Sequence, residues 1–256
     1  MRRPLIVACD GDALVATLDE ASGTTGLLIV SGGNEVRSGA HRGMALLAAR
    51  LAGDGVPVLR FDRRGVGDSS GMNGGYAGSA ADLAAAAAAF RREQPQITRL
   101  VGFGNCDAAT ALALFGWSAG IDALVLANPW LVERSAGGLP PPAAIRARYA
   151  ERLANPREWL RLTRGGVDIR KLINGLRAVL HRAPSNDLPT RFLAGIAGIP
   201  TTIVLATGDA TAIAARDALS RFPPMPTVTI DTPSHSFARA GDAAALEGAI
   251  RAKLGM

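Results

Sequence analysis

Apolar residues fall along this chain in short unbroken runs, separated by stretches in which they recur every three to four positions. Residues 5–8 and 14–18 are two such runs flanking the turn Asp10-Gly11-Asp12, and they read as a β-hairpin. Residues 26–30 (GLLIV) are apolar throughout, as a strand covered on both faces must be, and they end in the turn cluster Ser31-Gly32-Gly33-Asn34. Helical spacing resumes over 40–51 and stops near Gly53 and Gly55. The alternation then repeats. Strands are predicted at 57–61, 99–103 and 123–127, with helices at 80–93, halted before Pro95, and at 107–115. Strands alternating with helices demand right-handed crossovers, so the pattern predicts an α/β fold with a mostly parallel, doubly wound sheet.

The rhythm breaks after residue 128. Pro140-Pro141-Pro142 forms a stiff turn, and 143–162 and 169–181 have the spacing of amphipathic helices with no strand between them. The strand–helix alternation returns with strands at 202–206 and 227–230 and helices at 210–221 and 241–254. The expected organisation is one core domain, 1–128 and 199–256, interrupted by a helical lid at 129–198. A chain of 256 residues is long enough to bury such a core.

Composition narrows the classes. A hydrophobic content of 48% suits a globular protein rather than a disordered one. No apolar run approaches the roughly 20 residues of a membrane span, and the apolar stretch after Met1-Arg2-Arg3 is too short for a signal peptide, so the expected location is the cytoplasm. The net charge of +6 comes almost wholly from arginine, with Lys171 and Lys253 the only lysines. Acidic and basic residues are interspersed and no recognition motif accompanies them, which argues against a nucleic-acid partner. Eleven basic residues from Arg134 to Arg182 fall in the predicted lid. At three- and four-residue spacing they suit a solvated helix face, or, if turned to a pocket, an anionic substrate. No metal-binding spacing and no cofactor motif is present.

The candidate chemistry sits at strand ends. Gly104-Asn105-Cys106-Asp107-Ala108 joins the 99–103 strand to the 107–115 helix as small-x-nucleophile-x-small. Small flanking residues allow the sharp turn that lifts a nucleophile above a sheet, and a helix N-terminus suits a thiolate. A cysteine that merely packs would leave the same pentapeptide; the surrounding element order favours Cys106 as nucleophile. A base is then needed, and among the three histidines His235 lies just past the last strand, where the loop can return over the nucleophile. His181 reads as a helix-terminal surface residue. Asp209, after the 202–206 strand, is placed to orient the imidazole, although an aspartate there would equally cap the helix that starts at Ala210. The alternative acid position, one strand earlier, holds Asn128. An oxyanion hole would draw one N–H from Asp107 and a second from Gly33, or from Asn34 beside it.

These features resemble the α/β-hydrolase superfamily, in which Phe61-Asp62-Arg63-Arg64-Gly65-Val66-Gly67-Asp68-Ser69 matches the Asp-x-Arg-Gly-x-Gly-x-Ser loop with one arginine more. More narrowly, residues 30–43 (VSGGNEVRSGAHRG) and 104–110 (GNCDAAT) resemble the exosortase A system-associated hydrolase 1 family. That resemblance implies a bacterial protein accompanying exopolysaccharide and protein-sorting genes, with a hydrolase role. Within the first motif Arg37 and His41 are candidate substrate-binding residues. Cysteine in place of serine is a feature shared with dienelactone hydrolases, and Ser234 stands before the histidine where many relatives have aspartate. The expected activity is hydrolysis of an ester or thioester, small or carrier-linked, through an acyl-cysteine. Acyl transfer to another acceptor, or a silent hydrolase fold that only binds a partner, would use the same scaffold.

Overall fold

A computed structural model describes residues 1–132 and 187–256. The chain opens with the hairpin β1 (Arg2–Cys9) and β2 (Asp12–Asp19), paired antiparallel with Ala8 opposite Ala13. There follow β3 (Thr25–Val30), a one-turn 3-10 segment (Ala40–Arg42), α1 (Gly43–Gly53), β4 (Val58–Phe61), α2 (Ala80–Glu93), β5 (Arg99–Asn105), α3 (Asp107–Phe115) and β6 (Ala123–Ala127). The second described stretch holds α4 (Leu188–Ile196), β7 (Thr201–Ala206), α5 (Ala210–Leu219), β8 (Thr227–Ile230) and α6 (Ala240–Leu254).

Among the described residues the strands form one sheet in the order β1-β2-β4-β3-β5-β6-β7-β8. β2 meets β4 antiparallel, and every pairing from β4 to β8 is parallel. The central strands are apolar throughout because both faces are covered: β6 is buried at every position. Successive side chains on one strand enter opposite cores. Leu28 and Val30 pack with α2, α3, α4 and α5, whereas Leu27 and Ile29 pack with α1 and α6. The outer strands differ as edges should. β1 alternates exposed and covered positions, and β8 is exposed at three of its four.

The sequence-based elements recur here with ends moved by one to three residues, and α2, α3, β6 and β8 fall where the pattern puts them. Helix α1 differs at its start. His41 and Arg42 have φ of 52° and 60°, so the backbone kinks before the α-helix begins at Gly43. Helix α4 is not legible in the apolar spacing as a core element, yet it lies flat on α3. Phe192 is fully buried, and a Cβ on Gly195 would stand 2.1 Å from the Ala113 carbonyl oxygen. The helices expected at 143–162 and 169–181 and the basic residues of the lid lie outside the described residues. No helix among the described residues is long and apolar enough to cross a membrane.

Candidate active site

Parallel strands direct their C-terminal ends to one edge of the sheet, and the chemistry gathers there. Cys106 sits between β5 and α3 with φ 62° and ψ −127°, a conformation that an L-residue rarely adopts and that costs of order 1–3 kcal/mol. The surroundings enforce it. The Cys106 N–H donates to the Ala127 carbonyl at 3.0 Å, and the Cys106 carbonyl accepts the Trp130 N–H at 3.2 Å. The small residues beside it are required by contact. A Cβ on Gly104 would stand 2.8 Å from the carbonyl carbon of Ala108, and one on Gly32 would stand 2.3 Å from the Asn105 carbonyl oxygen and 3.2 Å from the Cys106 Cβ. Gly32 is therefore part of the elbow. The adjacent glycine pair was its only trace in the sequence.

His235 and Asp209 meet as expected, with Nδ1 3.0 Å from Oδ1. Both readings of Asp209 hold at once, because its two oxygens divide the work. Oδ1 faces the imidazole, and Oδ2 accepts the Ala212 N–H at 2.9 Å to cap α5. The His235 imidazole is pushed up to about 10, first by the hydrogen bond to Asp209 and next by the one to Cys106, against the opposing effect of burial. His235 stands between a carboxylate and the Cys106 sulfur, which completes a Cys106–His235–Asp209 line.

The loop carrying His235 is held by groups that the sequence reasoning did not assign. The His235 carbonyl accepts from the side-chain amides of Asn105 and Asn128, each at 3.1 Å, and Asn128 Oδ1 accepts the Ala206 N–H at 2.9 Å. Asn128 is fully buried. It stands where an acid could have stood and works instead as a clamp joining β6, β7 and the histidine loop. Ser234, in the place of the aspartate of many relatives, accepts the Ala238 N–H through its hydroxyl at 3.0 Å and so tightens the same loop. Buried Phe237 anchors it in the core beneath.

The oxyanion region departs from expectation in one respect. The Asp107 N–H opens α3 directly after Cys106. The Gly33 N–H, however, is taken by the Asp107 carboxylate, so in this arrangement it is not an open donor. Asn34 is exposed, and its Oδ1 accepts from Asn73 Nδ2 at 2.8 Å. The Asp107 carboxylate is balanced by Arg63, whose Nη2 reaches Oδ2 at 2.9 Å and the Gly33 carbonyl at 2.9 Å. The two arginines of the β4 loop thus separate. Buried Arg63 supports the nucleophile's neighbour, and Arg64 pairs with Asp82 on α2.

Arg37 and His41, the candidate substrate contacts, lie between β3 and α1. The Arg37 guanidinium binds Asp62 and also Asp68 at 3.0 Å, and its N–H donates to Asp62. Its charge is spent fastening the loop after β3 to the end of β4. His41 is exposed at the kink before α1 and is not among the residues lining the cavity beside His235. Cys9 is buried on β1, where burial first and Asp82 next push its thiol up to about 11, so it is the unreactive cysteine. Among the described residues no cluster of histidine, cysteine and carboxylate groups could hold a metal ion.

A parallel sheet wound on both sides, with a strained elbow after its central strand β5 and a carboxylate–histidine pair on the loops after β7 and β8, defines the α/β-hydrolase class. The chain belongs to the alpha/beta hydrolase family, whose model matches residues 27–247. Solved structures share the fold. The esterase Pf2001 of Pyrococcus furiosus aligns with a TM-score of 0.64 at 14% identity over 100% of this chain and 90% of its own. XC6422 of Xanthomonas campestris, described as a serine hydrolase without lid, aligns with a TM-score of 0.61 at 18% identity over 99% and 94%. The thioesterase domain of the curacin biosynthetic pathway aligns with a TM-score of 0.56 at 16% identity over 98% and 99%. No curated protein matches the chain.

Proposed function

We propose that the protein hydrolyses an ester or thioester, small or carrier-linked, through an acyl-Cys106 intermediate. The observation that carries this reading is the imidazole of His235 held between the Asp209 carboxylate and the Cys106 sulfur, hydrogen-bonded to both. An imidazolium beside a thiol favours the thiolate. The Cys106 thiolate attacks the acyl carbonyl, and the oxyanion is received by the N–H of Asp107. The Gly33 N–H joins it once the Asp107 carboxylate turns fully to Arg63. Collapse expels the leaving group, which takes the proton from His235. The neutral imidazole then removes a proton from water as it attacks the acyl-cysteine, and the departing thiolate restores the ion pair. The esterase and thioesterase named among the structural neighbours, and the resemblance to the exosortase A system-associated hydrolase 1 family, agree with this chemistry.

The test is alkylation of Cys106 by iodoacetamide between pH 5 and 9, in the wild type and in His235→Ala. Labelling at pH 6 well above that of a free thiol, lost in His235→Ala, is the expected result. Labelling that follows an ordinary thiol and ignores the mutation would return Cys106 to a packing role and remove the acyl-enzyme.

A further inference from the structure

Outside the Cys106–His235–Asp209 line, another carboxylate lies within electrostatic reach of His235. Glu35 lies in the turn after β3 and is half-buried. Its Oε1 accepts the Ala40 N–H at 2.5 Å, which holds the side chain on the α1 side of the sheet edge. Among the described residues Oε2 has no hydrogen-bond partner. The carboxylate lines a small cavity with Ser31, Met44, Asn105, Ser236 and Phe237. Asn105 immediately precedes Cys106 and Ser236 immediately follows His235, so the cavity lies one residue away from each of the two. It has room for roughly one water molecule.

Most of its polar lining is already engaged. The Ser31 hydroxyl donates to the Val36 carbonyl at 3.3 Å, and the Asn105 amide donates to the His235 carbonyl. Burial pushes the Glu35 carboxyl up, while the Ala40 N–H and then the charge of His235 hold it down, so Glu35 and His235 act on one another. Charge decides which half-reaction such a group assists. In acylation a negative group beside a thiolate and a forming oxyanion is unfavourable. In deacylation a water approaches while His235 gains a proton, and a carboxylate stabilises that new cation and accepts a hydrogen bond from the water.

We propose, building on the acyl-Cys106 reading, that Glu35 is a positioning residue for the acyl acceptor and biases the enzyme toward hydrolysis. Its free oxygen accepts one hydrogen of the attacking water while His235 removes the other. The water oxygen bonds to the acyl carbon, the bond from carbon to Cys106 Sγ breaks, and the carboxylic acid leaves. An acceptor with two hydrogens on its attacking atom can be held at both ends. An alcohol has one, which goes to His235, and so gains nothing from Glu35.

Glu35→Gln tests this. Its amide oxygen can keep the Ala40 N–H while its NH2 group replaces the free acceptor by a donor. The variant is compared with the wild type on p-nitrophenyl acetate in a fixed concentration of methanol, and methyl acetate and acetate are quantified by NMR. The ratio of products reports the fate of the acyl-enzyme, whichever step limits turnover. The expected result is a ratio of ester to acid about 10-fold higher in Glu35→Gln, brought back toward wild type by Glu35→Asp, which keeps an anionic acceptor. An unchanged ratio in Glu35→Gln, or a raised ratio in both variants, overturns the proposal. Products that form equally well in Cys106→Ala would instead remove the acyl-Cys106 reading and this proposal with it.

Discussion

The carboxylate of Asp107 accepts the N–H of Gly33, and it does so from the residue next to the nucleophile. A negative group therefore occupies the donor expected to receive the oxyanion, and Arg63, 2% exposed, supplies the balancing charge. The arrangement couples stability to the site.

Asp107→Ala should lose about 3 kcal/mol of stability, because truncating one member of a buried pair leaves the other charge uncompensated. A lower midpoint in urea unfolding, with unchanged slope, is the expected reading. A midpoint equal to the wild type would mean that Arg63 is well solvated without its partner.

The divided carboxylate of Asp209 allows its two roles to be separated. Asparagine caps helices about as well as aspartate, so at pH 10, where the stabilisation from the His235 proton has faded, Asp209→Asn should change stability by less than about 1 kcal/mol. It removes the charge facing His235 Nδ1, and loss of this partner in comparable triads costs roughly 10⁴ in rate. Iodoacetamide labelling near neutral pH and ester turnover should both fall steeply, while the thermal midpoint at pH 10 barely moves. A large drop in the midpoint with labelling preserved would assign Asp209 to the cap alone.

The raised imidazole of His235 links stability to pH. Its folded value, about 10, lies above the ordinary 6.5, so the native state binds the proton more tightly than the unfolded chain. The stabilisation is complete below about pH 6.5 and is lost as pH rises toward 10, because the unfolded chain gives up its proton first. The wild type should therefore exceed His235→Ala in urea midpoint by a margin that shrinks over this interval. A margin independent of pH would show that His235 does not hold its proton.

Asn128 can be tested as a clamp. Asn128→Ala removes the acceptor of the buried Ala206 N–H and one of two donors to the His235 carbonyl, at a cost of about 1–3 kcal/mol. Turnover should fall by more than the stability loss explains at temperatures where the variant is folded. Unaltered turnover would leave Asn105 as the sufficient support for the loop.

The legible part of the protein was the part written locally. The runs at 26–30 and 123–127 had to be covered strands, since an unbroken apolar run tolerates no wet face, and their alternation with helices implied the parallel sheet. Cys106, Asp107, His235 and Asp209 were legible for the same reason. Each sits at a strand end, and parallel strands bring those ends together whatever the details of packing. The small residues around Cys106 already carried the sharpness of its turn.

What the chain's order could not express was the traffic between loops. Nothing near Asp107 announces that its carboxylate takes the Gly33 N–H, since the partner lies 74 residues away. The partners of Arg37, Asp62 and Asp68, likewise stand 25 and 31 residues away. Asn128 looked like a vacant acid position until it was seen to join three elements. Hydrogen bonds and ion pairs are short-ranged and directional, so their partners depend on how strands and loops stack. The sequence by itself determined the fold class and which candidate residues stand at the strand ends, through periodicity and position. The tertiary structure alone decided which polar groups were free to act and which were already engaged.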